Sequence, residues 1–163
     1  MKPNSKKAGP TLSVTLPMEV GFYDVDSYRI VWHGNYPKYF EIARCKLLSK
    51  IGFTYADMEE TGYFYPVVDL HTKYIRPLRF EQQFEITAEL KEWEHKLVID
   101  YLIVDVATRD VVTKGQTTQF AVKMPEEITQ FDAPKQLLDS VDAAFKALAD
   151  ATSEEKSEEQ GDA

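Results

Sequence analysis

The chain has 163 residues, of which 44% are hydrophobic and 12% aromatic, enough for one domain with a proper core. Its net charge of −8 lies entirely in residues 126–163, while residues 1–125 are neutral, which argues against a nucleic-acid-binding surface. A mean hydropathy of −0.37 without a long apolar run excludes a membrane span, and no apolar signal-peptide core follows the N-terminus. The single Cys45 suits a cytoplasmic protein.

The first predicted elements are a strand and a long helix. Apolar residues alternate from Leu12 to Phe22, which predicts a half-buried strand that Pro17 interrupts or places at a sheet edge. From Tyr36 to Ile51 apolar residues recur every three or four positions, as in an amphipathic helix. The residues that favour its ends are Asn35 as N-cap, Pro37 in the first turn and Gly52 after the last.

The next part of the chain is predicted to be β. Strands are expected, in chain order, over Val67–Ile75, Gln83–Leu90, Leu97–Val106 and Val111–Lys123, after a short helical turn at Tyr55–Glu60. The third of these strands is largely apolar on both faces, which indicates a central position. One long helix with about five antiparallel strands predicts an α+β fold, in which the sheet wraps the helix because nothing else covers its apolar face.

The ends of the chain differ from this central domain, which spans residues 12–125. Residues 1–11 are expected to be a flexible leader. Residues 126–150 are predicted to be a C-terminal helical extension, with the helix running from Pro134 to about Ala149. Residues 151–163 lack large apolar side chains and are expected to be a disordered acidic tail.

The segment from Phe22 to Tyr36, between the first strand and the long helix, concentrates the side chains suited to catalysis. It contains the carboxylates of Asp24 and Asp26 and the imidazole of His33. Free N–H groups at a helix N-terminus can bind a polarised carbonyl oxygen, and a nearby carboxylate can activate water or attack directly. Together these groups suffice for acyl transfer. From spacing alone, the alternative of turn aspartates and a loop histidine stays open.

A longer pattern narrows these possibilities. The residues read Asp24-x-Asp26-x-x-x-Ile30-Val31-Trp32-His33-x-x-Tyr36-x-x-Tyr39-Phe40-Glu41-x-x-Arg44. This resembles the motif D-x-D-x-x-G-x-V-x-H-x-x-Y-x-x-Y-x-E-x-x-R of hot-dog-fold acyl-CoA thioesterases of the 4-hydroxybenzoyl-CoA thioesterase type, including the branch associated with the Tol–Pal system. The segment Tyr74–Phe80 also resembles that family's Y-x-x-P-x-x-F/Y strand end. The resemblance implies the hot-dog fold and thioester hydrolysis.

The resemblance also implies roles for individual residues. Asp26 matches the catalytic carboxylate, acting as nucleophile or general base. His33 matches the motif histidine at the start of the helix, where backbone N–H groups polarise the thioester carbonyl and the histidine side chain often assists catalysis, so it is implied as a second catalytic residue. Asp24 matches a structural aspartate, and the residues implied to shape the acyl pocket are Gly34, Asn35 and Tyr36. Because the family's active sites lie between two protomers, the resemblance implies a homodimer. Two such dimers pairing into a homotetramer is the alternative.

Arg29 departs from the motif, which has glycine there. Since glycine at a turn usually supplies a positive φ or space, Arg29 must follow another backbone path or tolerate strain. Its guanidinium is either a surface group or a ligand for a CoA phosphate or a substrate carboxylate. The other candidates for CoA phosphates, unless they are simply solvated, are Lys73, Arg76 and Arg79.

Other residues offer weaker alternatives. Glu41 is the rival catalytic carboxylate, but it is expected to pair with Arg44 one turn later. Cys45 is expected to pack rather than react. His71 and His95 have no metal-ligand spacing with His33, so no metal site is expected.

The sequence therefore predicts a cytoplasmic acyl-CoA thioesterase that requires no dissociable cofactor. One alternative is a thioesterase that uses the same residues on acyl-carrier protein. The other is a non-catalytic acyl-thioester binding module, in which Tyr28 and Arg29 have impaired hydrolysis. Aliphatic and aromatic acyl groups are both compatible with the aromatic residues near the helix.

Overall fold

The computed structural model describes residues 10–159, with side chains described to residue 153. In chain order its elements are β1 (Ser13–Glu19), α1 (Tyr36–Ile51), α2 (Tyr55–Thr61), β2 (Tyr63–Phe64), β3 (Val67–Tyr74), β4 (Gln83–Glu92), β5 (Leu97–Asp105), β6 (Val111–Gln119), β7 (Ala121–Lys123), β8 (Ile128–Gln130) and α3 (Lys135–Glu159). Short 3-10 turns cover Phe22–Asp24 and His33–Asn35.

Five strands form the main antiparallel sheet, in the order β1-β4-β5-β6-β3. The predicted central position of the strand beginning at Leu97 is confirmed, and β1 with Pro17 lies at an edge as expected. The predicted strand Val111–Lys123 is instead two strands, because the chain leaves the main sheet after Gln119. The second strand, β7, pairs with β2 and β8 in a separate small sheet.

Helix α1 packs across one face of the main sheet, which confirms the predicted α+β arrangement of a sheet around a central helix. The ring of Phe40 stacks on Tyr101 of β5 at a centroid distance of 4.6 Å. A Cβ at Gly115 of β6 would overlap the Phe40 ring, so glycine makes room for the helix there. The buried residues of the helix are Tyr36, Tyr39, Phe40, Ala43, Arg44, Leu47, Leu48 and Ile51.

The helix ends agree only partly with the sequence analysis. Gly52 has a φ of +80° and donates its N–H to the carbonyl of Ser49, so the predicted C-terminal cap is confirmed. Helix α3 buries Leu137 and Val141 but runs to Glu159, beyond the predicted end near Ala149. Residues 151–159 are therefore helical rather than irregular, in line with the high helix preference of Ala, Glu and Lys.

Residues 1–9 and 160–163 lie outside the described part of the chain, as do most of the expected leader and the end of the expected tail. Within residues 10–159 no helix is both long enough and apolar enough to cross a membrane.

Candidate active site

Asp26 and Arg29 lie on a tight hairpin between β1 and α1. The backbone N–H of Asp26 donates to the carbonyl of Ile30 at 2.9 Å, and the N–H of Arg29 donates to the carbonyl of Asp26 at 2.9 Å. Arg29 has a φ of +63°. A three-residue hairpin loop commonly ends on a left-handed residue, and glycine is favoured there. Of the two predicted outcomes, Arg29 therefore keeps the backbone path suited to glycine and tolerates its strain.

The carboxylate of Asp26 is held by its own turn. Its Oδ1 accepts the backbone N–H of Tyr28 at 2.8 Å, which fixes the side chain against the loop. Among the hydrogen bonds of the described residues, none reaches Oδ2 of Asp26. One carboxylate oxygen is thus anchored, and the other is available to a substrate or water.

Asp24 joins the hairpin to α1 from a buried position. Its carboxylate accepts hydrogen bonds from the hydroxyl of Tyr39 at 2.9 Å and from Nζ of Lys38 at 3.0 Å. Its backbone carbonyl accepts the N–H of Trp32 at 2.9 Å and Nδ2 of Asn35 at 2.8 Å. These contacts fit the structural role implied for this aspartate.

The prediction that Asn35 caps α1 is wrong. Asn35 has helical dihedral angles, φ −87° and ψ −18°, and its side chain makes no capping hydrogen bond. The side-chain amide of Asn35 instead donates to the backbone carbonyl of Asp24. The helical segment also begins earlier than predicted, with the 3-10 turn at His33. In this turn the N–H of Asn35 donates to the carbonyl of Trp32 at 2.8 Å, whereas the N–H groups of His33 and Gly34 have no acceptor among the described residues and no side-chain cap.

A cleft of about 480 Å³ lies where the hairpin, the start of α1 and the end of β3 meet. Of the predicted site residues, Asp26, His33 and Tyr36 line it. Gly34, Asn35 and Arg29 do not. The remaining lining residues are Tyr28, Ile30, Val31, Trp32, Tyr74, Ile75, Arg76 and Pro77. The structure thus brings the predicted carboxylate and the helix start to one cavity.

The comparisons with known proteins agree with this architecture. A family model described as the Thioesterase-like superfamily matches residues 20–145, most of the chain. The chain belongs to this superfamily. A protein provisionally named acyl-CoA thioesterase YneP from Bacillus subtilis is 33% identical over 91 residues, which cover 55% of this chain and 66% of that protein.

Two further matches extend the likeness. A provisionally named esterase from Aquifex aeolicus is 31% identical over 123 residues, covering 74% of this chain and 91% of its own. The crystal structure of a DHNA-CoA thioesterase from Staphylococcus aureus superposes with a TM-score of 0.72 at 24% identity, covering 87% of this chain and 94% of that one. At this identity, the match shows a shared hot-dog fold.

Trp32 and Tyr74 are two site residues of this thioesterase-like chain that the sequence analysis did not assign to the site. A Cβ at Gly34 would overlap the indole of Trp32, so Gly34 supports the ring instead of entering the cleft. Tyr74 reaches across from β3, and its hydroxyl donates to the carbonyl of His33 at 2.7 Å. Both lie within the resembling segments, but only the tertiary structure shows what they contact.

Tyr36 forms the inner wall of the cleft. Its ring meets that of Tyr74 edge-to-face at a centroid distance of 5.0 Å. Burial raises the pKa of the Tyr36 phenol, so this group stays protonated throughout the neutral range. The wall is therefore aromatic and uncharged, as the lining of small-molecule pockets commonly is.

Glu41 lies away from the cleft, in the ion pair expected for it. Its carboxylate accepts from the buried guanidinium of Arg44 and from the hydroxyl of Tyr55, the latter at 2.6 Å. Burial raises the pKa of Glu41, but the hydrogen bonds from Tyr55 and Arg44 outweigh it and lower the pKa overall. Cys45 is half-buried beside the same carboxylate, at 3.9 Å.

The candidate phosphate-binding cations are separated. Arg76 lines the cleft, with its Nε 3.6 Å from a carboxylate oxygen of Asp110. Lys73 instead lines a groove formed by the main sheet, and Arg79 forms an isolated β-bridge with Ile30. Among the side chains described, those of residues 10–153, no three His, Cys, Asp or Glu are grouped closely enough to hold a metal.

Proposed function

We propose that this chain is an acyl-CoA thioesterase of the 4-hydroxybenzoyl-CoA thioesterase type, with Asp26 as its catalytic carboxylate. The backbone N–H of His33, at the helix start, binds the carbonyl oxygen of the thioester, and the His33 side chain assists catalysis. Tyr36 forms part of the acyl pocket. The named relative from Bacillus subtilis supports this substrate class. The narrower resemblance to Tol–Pal-associated enzymes stays a prediction.

The observation that carries the proposal is that Asp26 and His33 line one cleft. A thioester placed there meets an anchored carboxylate with one open oxygen on one side. On the other side it meets the uncapped start of a helix, where free N–H groups and the helix dipole favour negative charge. These are the two requirements for forming and stabilising a tetrahedral intermediate.

Two versions of the chemistry use these groups. As a general base, Asp26 takes a proton from water, whose oxygen attacks the carbonyl carbon; the C–S bond then breaks, and the thiolate leaves and is protonated. As a nucleophile, Asp26 forms a mixed anhydride and expels the thiolate, and water then hydrolyses the anhydride. In a single turnover in H₂¹⁸O, label in the Asp26 carboxylate identifies the nucleophilic route, in which water attacks the Asp26 carbonyl of the anhydride. Trapping the anhydride with hydroxylamine identifies the same route when water attacks the acyl carbonyl instead.

The backbone at Arg29 weakens the case for a non-catalytic binding module. That alternative rested on the loss of the motif glycine, but Arg29 retains a φ of +63°. The turn therefore still holds Asp26 by its backbone hydrogen bonds. Tyr28, the other departure, contributes its side chain to the cleft wall and leaves the carboxylate accessible.

We also propose that β3 is the site of dimer formation. It is an edge strand of the main sheet and has unusually exposed apolar residues, with Val68 at 56% and Leu70 at 42% exposure. A second copy that pairs with this edge would cover these side chains and border the cleft, because Tyr74 ends the same strand. This placement fits an active site between two protomers.

The test is thiol release from a panel of aliphatic and aromatic acyl-CoAs. Asp26→Asn keeps an oxygen that accepts from Tyr28 but removes the base, so we expect kcat to fall by about 10²–10⁴-fold with CoA binding retained. Glu41→Gln is the matched carboxylate control. Loss of activity in Glu41→Gln alone would overturn the assignment to Asp26, and absence of turnover on every CoA and carrier-protein ester would overturn the enzyme itself.

A further inference from the structure

A second cavity, of about 470 Å³, lies at the beginning of β3, at the opposite end of this strand from the cleft. We call it the β2 pocket, because β2 forms one of its walls. The residues that line it include Tyr55, Met58, Phe64, Tyr65, Val122 and Met124. Thioethers, a valine and aromatic rings make this lining largely apolar, and methionine side chains adapt to ligands of different shape. The proposed chemistry uses none of these residues.

Both cavities lie on the face of the main sheet that α1 covers. In the cleft, the ring of Tyr74 contacts Tyr36 of α1. In the β2 pocket, Tyr55 donates its hydroxyl to the carboxylate of Glu41, also on α1, at 2.6 Å. The two cavities therefore differ in position along β3 but not in the side of the sheet on which they open.

Within one copy of the chain the two cavities are far apart. The strand between them has eight residues and spans roughly 24 Å. At about 1.2 Å per bond, the advance of an extended polypeptide, a twelve-carbon acyl chain spans only about 13 Å. A chain of that length with its carbonyl at Asp26 does not reach the β2 pocket of the same copy.

A second copy paired along β3 removes this separation. Two copies of one edge strand pair antiparallel when a two-fold axis stands perpendicular to the sheet. The axis keeps α1 of both copies on the same face and reverses the direction of the strand. The beginning of β3 in one copy then lies beside the end of β3 in the other, so each cleft borders the β2 pocket of the partner.

We propose that the partner's β2 pocket binds the distal, apolar part of the acyl group that each cleft hydrolyses. The inference rests on the proposed function and on pairing at β3. Asp26 and His33 then come from one copy and the apolar pocket from the other. The substrates are acyl-CoA thioesters with an extended aliphatic chain, because a short acyl group ends inside the cleft. Each further methylene group buried in the pocket favours binding about fourfold.

The first test fills the pocket by Val122→Phe, from a half-buried position on β7. We expect kcat/KM for dodecanoyl-CoA to fall at least about tenfold, because two or more methylene groups lose their binding site. For butanoyl-CoA it should stay within about twofold. Ile128→Phe is the matched control: it puts the same ring on β8, at an exposed position outside the pocket, and should change neither value.

A second variant serves if Val122→Phe does not fold. Phe64 pairs with Val122 in the small sheet and is 40% exposed, so its truncation is tolerated more easily. Phe64→Ala removes part of the pocket wall and should lower kcat/KM for dodecanoyl-CoA more than for butanoyl-CoA.

The second test shows which copy provides the pocket. Asp26→Asn and Val122→Phe are co-expressed with different affinity tags, and the mixed dimer is purified through both tags. If the pocket acts across the dimer, one site carries both substitutions and the other carries none. The mixed dimer should then hydrolyse dodecanoyl-CoA at about half the rate of the unaltered dimer, although each variant alone is much slower.

The outcomes separate this inference from the proposed function. If the pocket variants keep the chain-length profile of the unaltered protein, the inference is wrong and the thioesterase activity stands. A mixed dimer no faster than the average of its two parents, or a monomer in sedimentation equilibrium, would overturn the contribution of the partner. If no thioester is hydrolysed, the proposed activity fails, and calorimetry still tests the pocket. Equal affinity of dodecanoyl-CoA for the unaltered protein and for Val122→Phe would then count against it.

Discussion

Arg29→Gly should make the protein more stable. Arg29 is held at a φ of +63°, where a residue with a Cβ is strained by about 1–2 kcal/mol. Glycine removes that strain but adds about 0.5–1 kcal/mol of conformational entropy to the unfolded chain. The balance is a gain of about 1 kcal/mol in the free energy of unfolding. For a chain of this size, that corresponds to a rise in melting temperature of about 2–4 °C.

Two further variants separate the backbone effect from the loss of charge. Arg29→Ala removes the guanidinium but keeps the Cβ, so the free energy of unfolding should change by less than about 0.5 kcal/mol. Ser27→Gly adds the same entropy in the same loop without relieving a positive φ, and should lose about 0.5–1 kcal/mol. Urea unfolding, followed by circular dichroism at one protein concentration, measures all three differences.

The reasoning would be refuted if Arg29→Gly were no more stable than Arg29→Ala. The backbone strain would then be too small to explain why glycine suits this position. Thiol-release kinetics on the same proteins tests the guanidinium separately. A KM that rises equally in both Arg29 variants would assign the side chain to the substrate, whereas unchanged kinetics would leave it as a surface group.

Three other substitutions probe different parts of the molecule. Gly34→Ala forces the new Cβ against Trp32, so we expect a loss of about 1–3 kcal/mol in urea unfolding together with a lower kcat; full activity would contradict the packing. Leu70→Lys places a charge on the exposed β3 edge and should convert a dimer to monomers in sedimentation equilibrium. A variant that stays dimeric would contradict the proposed interface at β3. Glu41 has a lowered pKa, so its stabilising effect is present above the usual value near 4.5 and is lost as the pH falls. Glu41→Gln should remove this pH dependence and lower the free energy of unfolding at pH 7 by about 1 kcal/mol, a small value because solvent screens the half-exposed carboxylate. If the variant kept the same dependence of stability on pH, the ion pair with Arg44 would not be its cause.

Periodicity predicted the main elements because each buries one continuous face. Helix α1 and β4 show this most clearly, since their buried residues follow the helical and the alternating pattern. The division of Val111–Lys123 into β6 and β7 could not be predicted, because the pattern of apolar residues does not record which partner strand is paired. The end of α3 was missed for a different reason. Its last residues include no large apolar side chain, so no periodic apolar pattern marks them, although Ala, Glu and Lys have a high intrinsic helix preference.

The site was predicted where its residues are close in sequence. Asp26 and His33 belong to one motif, so the resemblance placed them at the same helix start. Tyr74 is far along the chain, and its hydrogen bond to His33 depends on how the end of β3 approaches that start. The sequence analysis did not assign Trp32 to the site. Its packing against Gly34, where a Cβ would overlap the indole ring, exists only in the folded loop.

The wrong prediction for Asn35 bears most directly on function. An N-cap side chain would consume one of the free N–H donors at the start of the helix. The side-chain amide of Asn35 instead donates to the backbone carbonyl of Asp24. The carboxylate of Asp24 in turn accepts hydrogen bonds from Lys38 and Tyr39, in the first turn of α1. These contacts fix the position of the helix start without using its donors. A helix start held in this way leaves the N–H of His33 available to a ligand, which is what an oxyanion site at His33 requires.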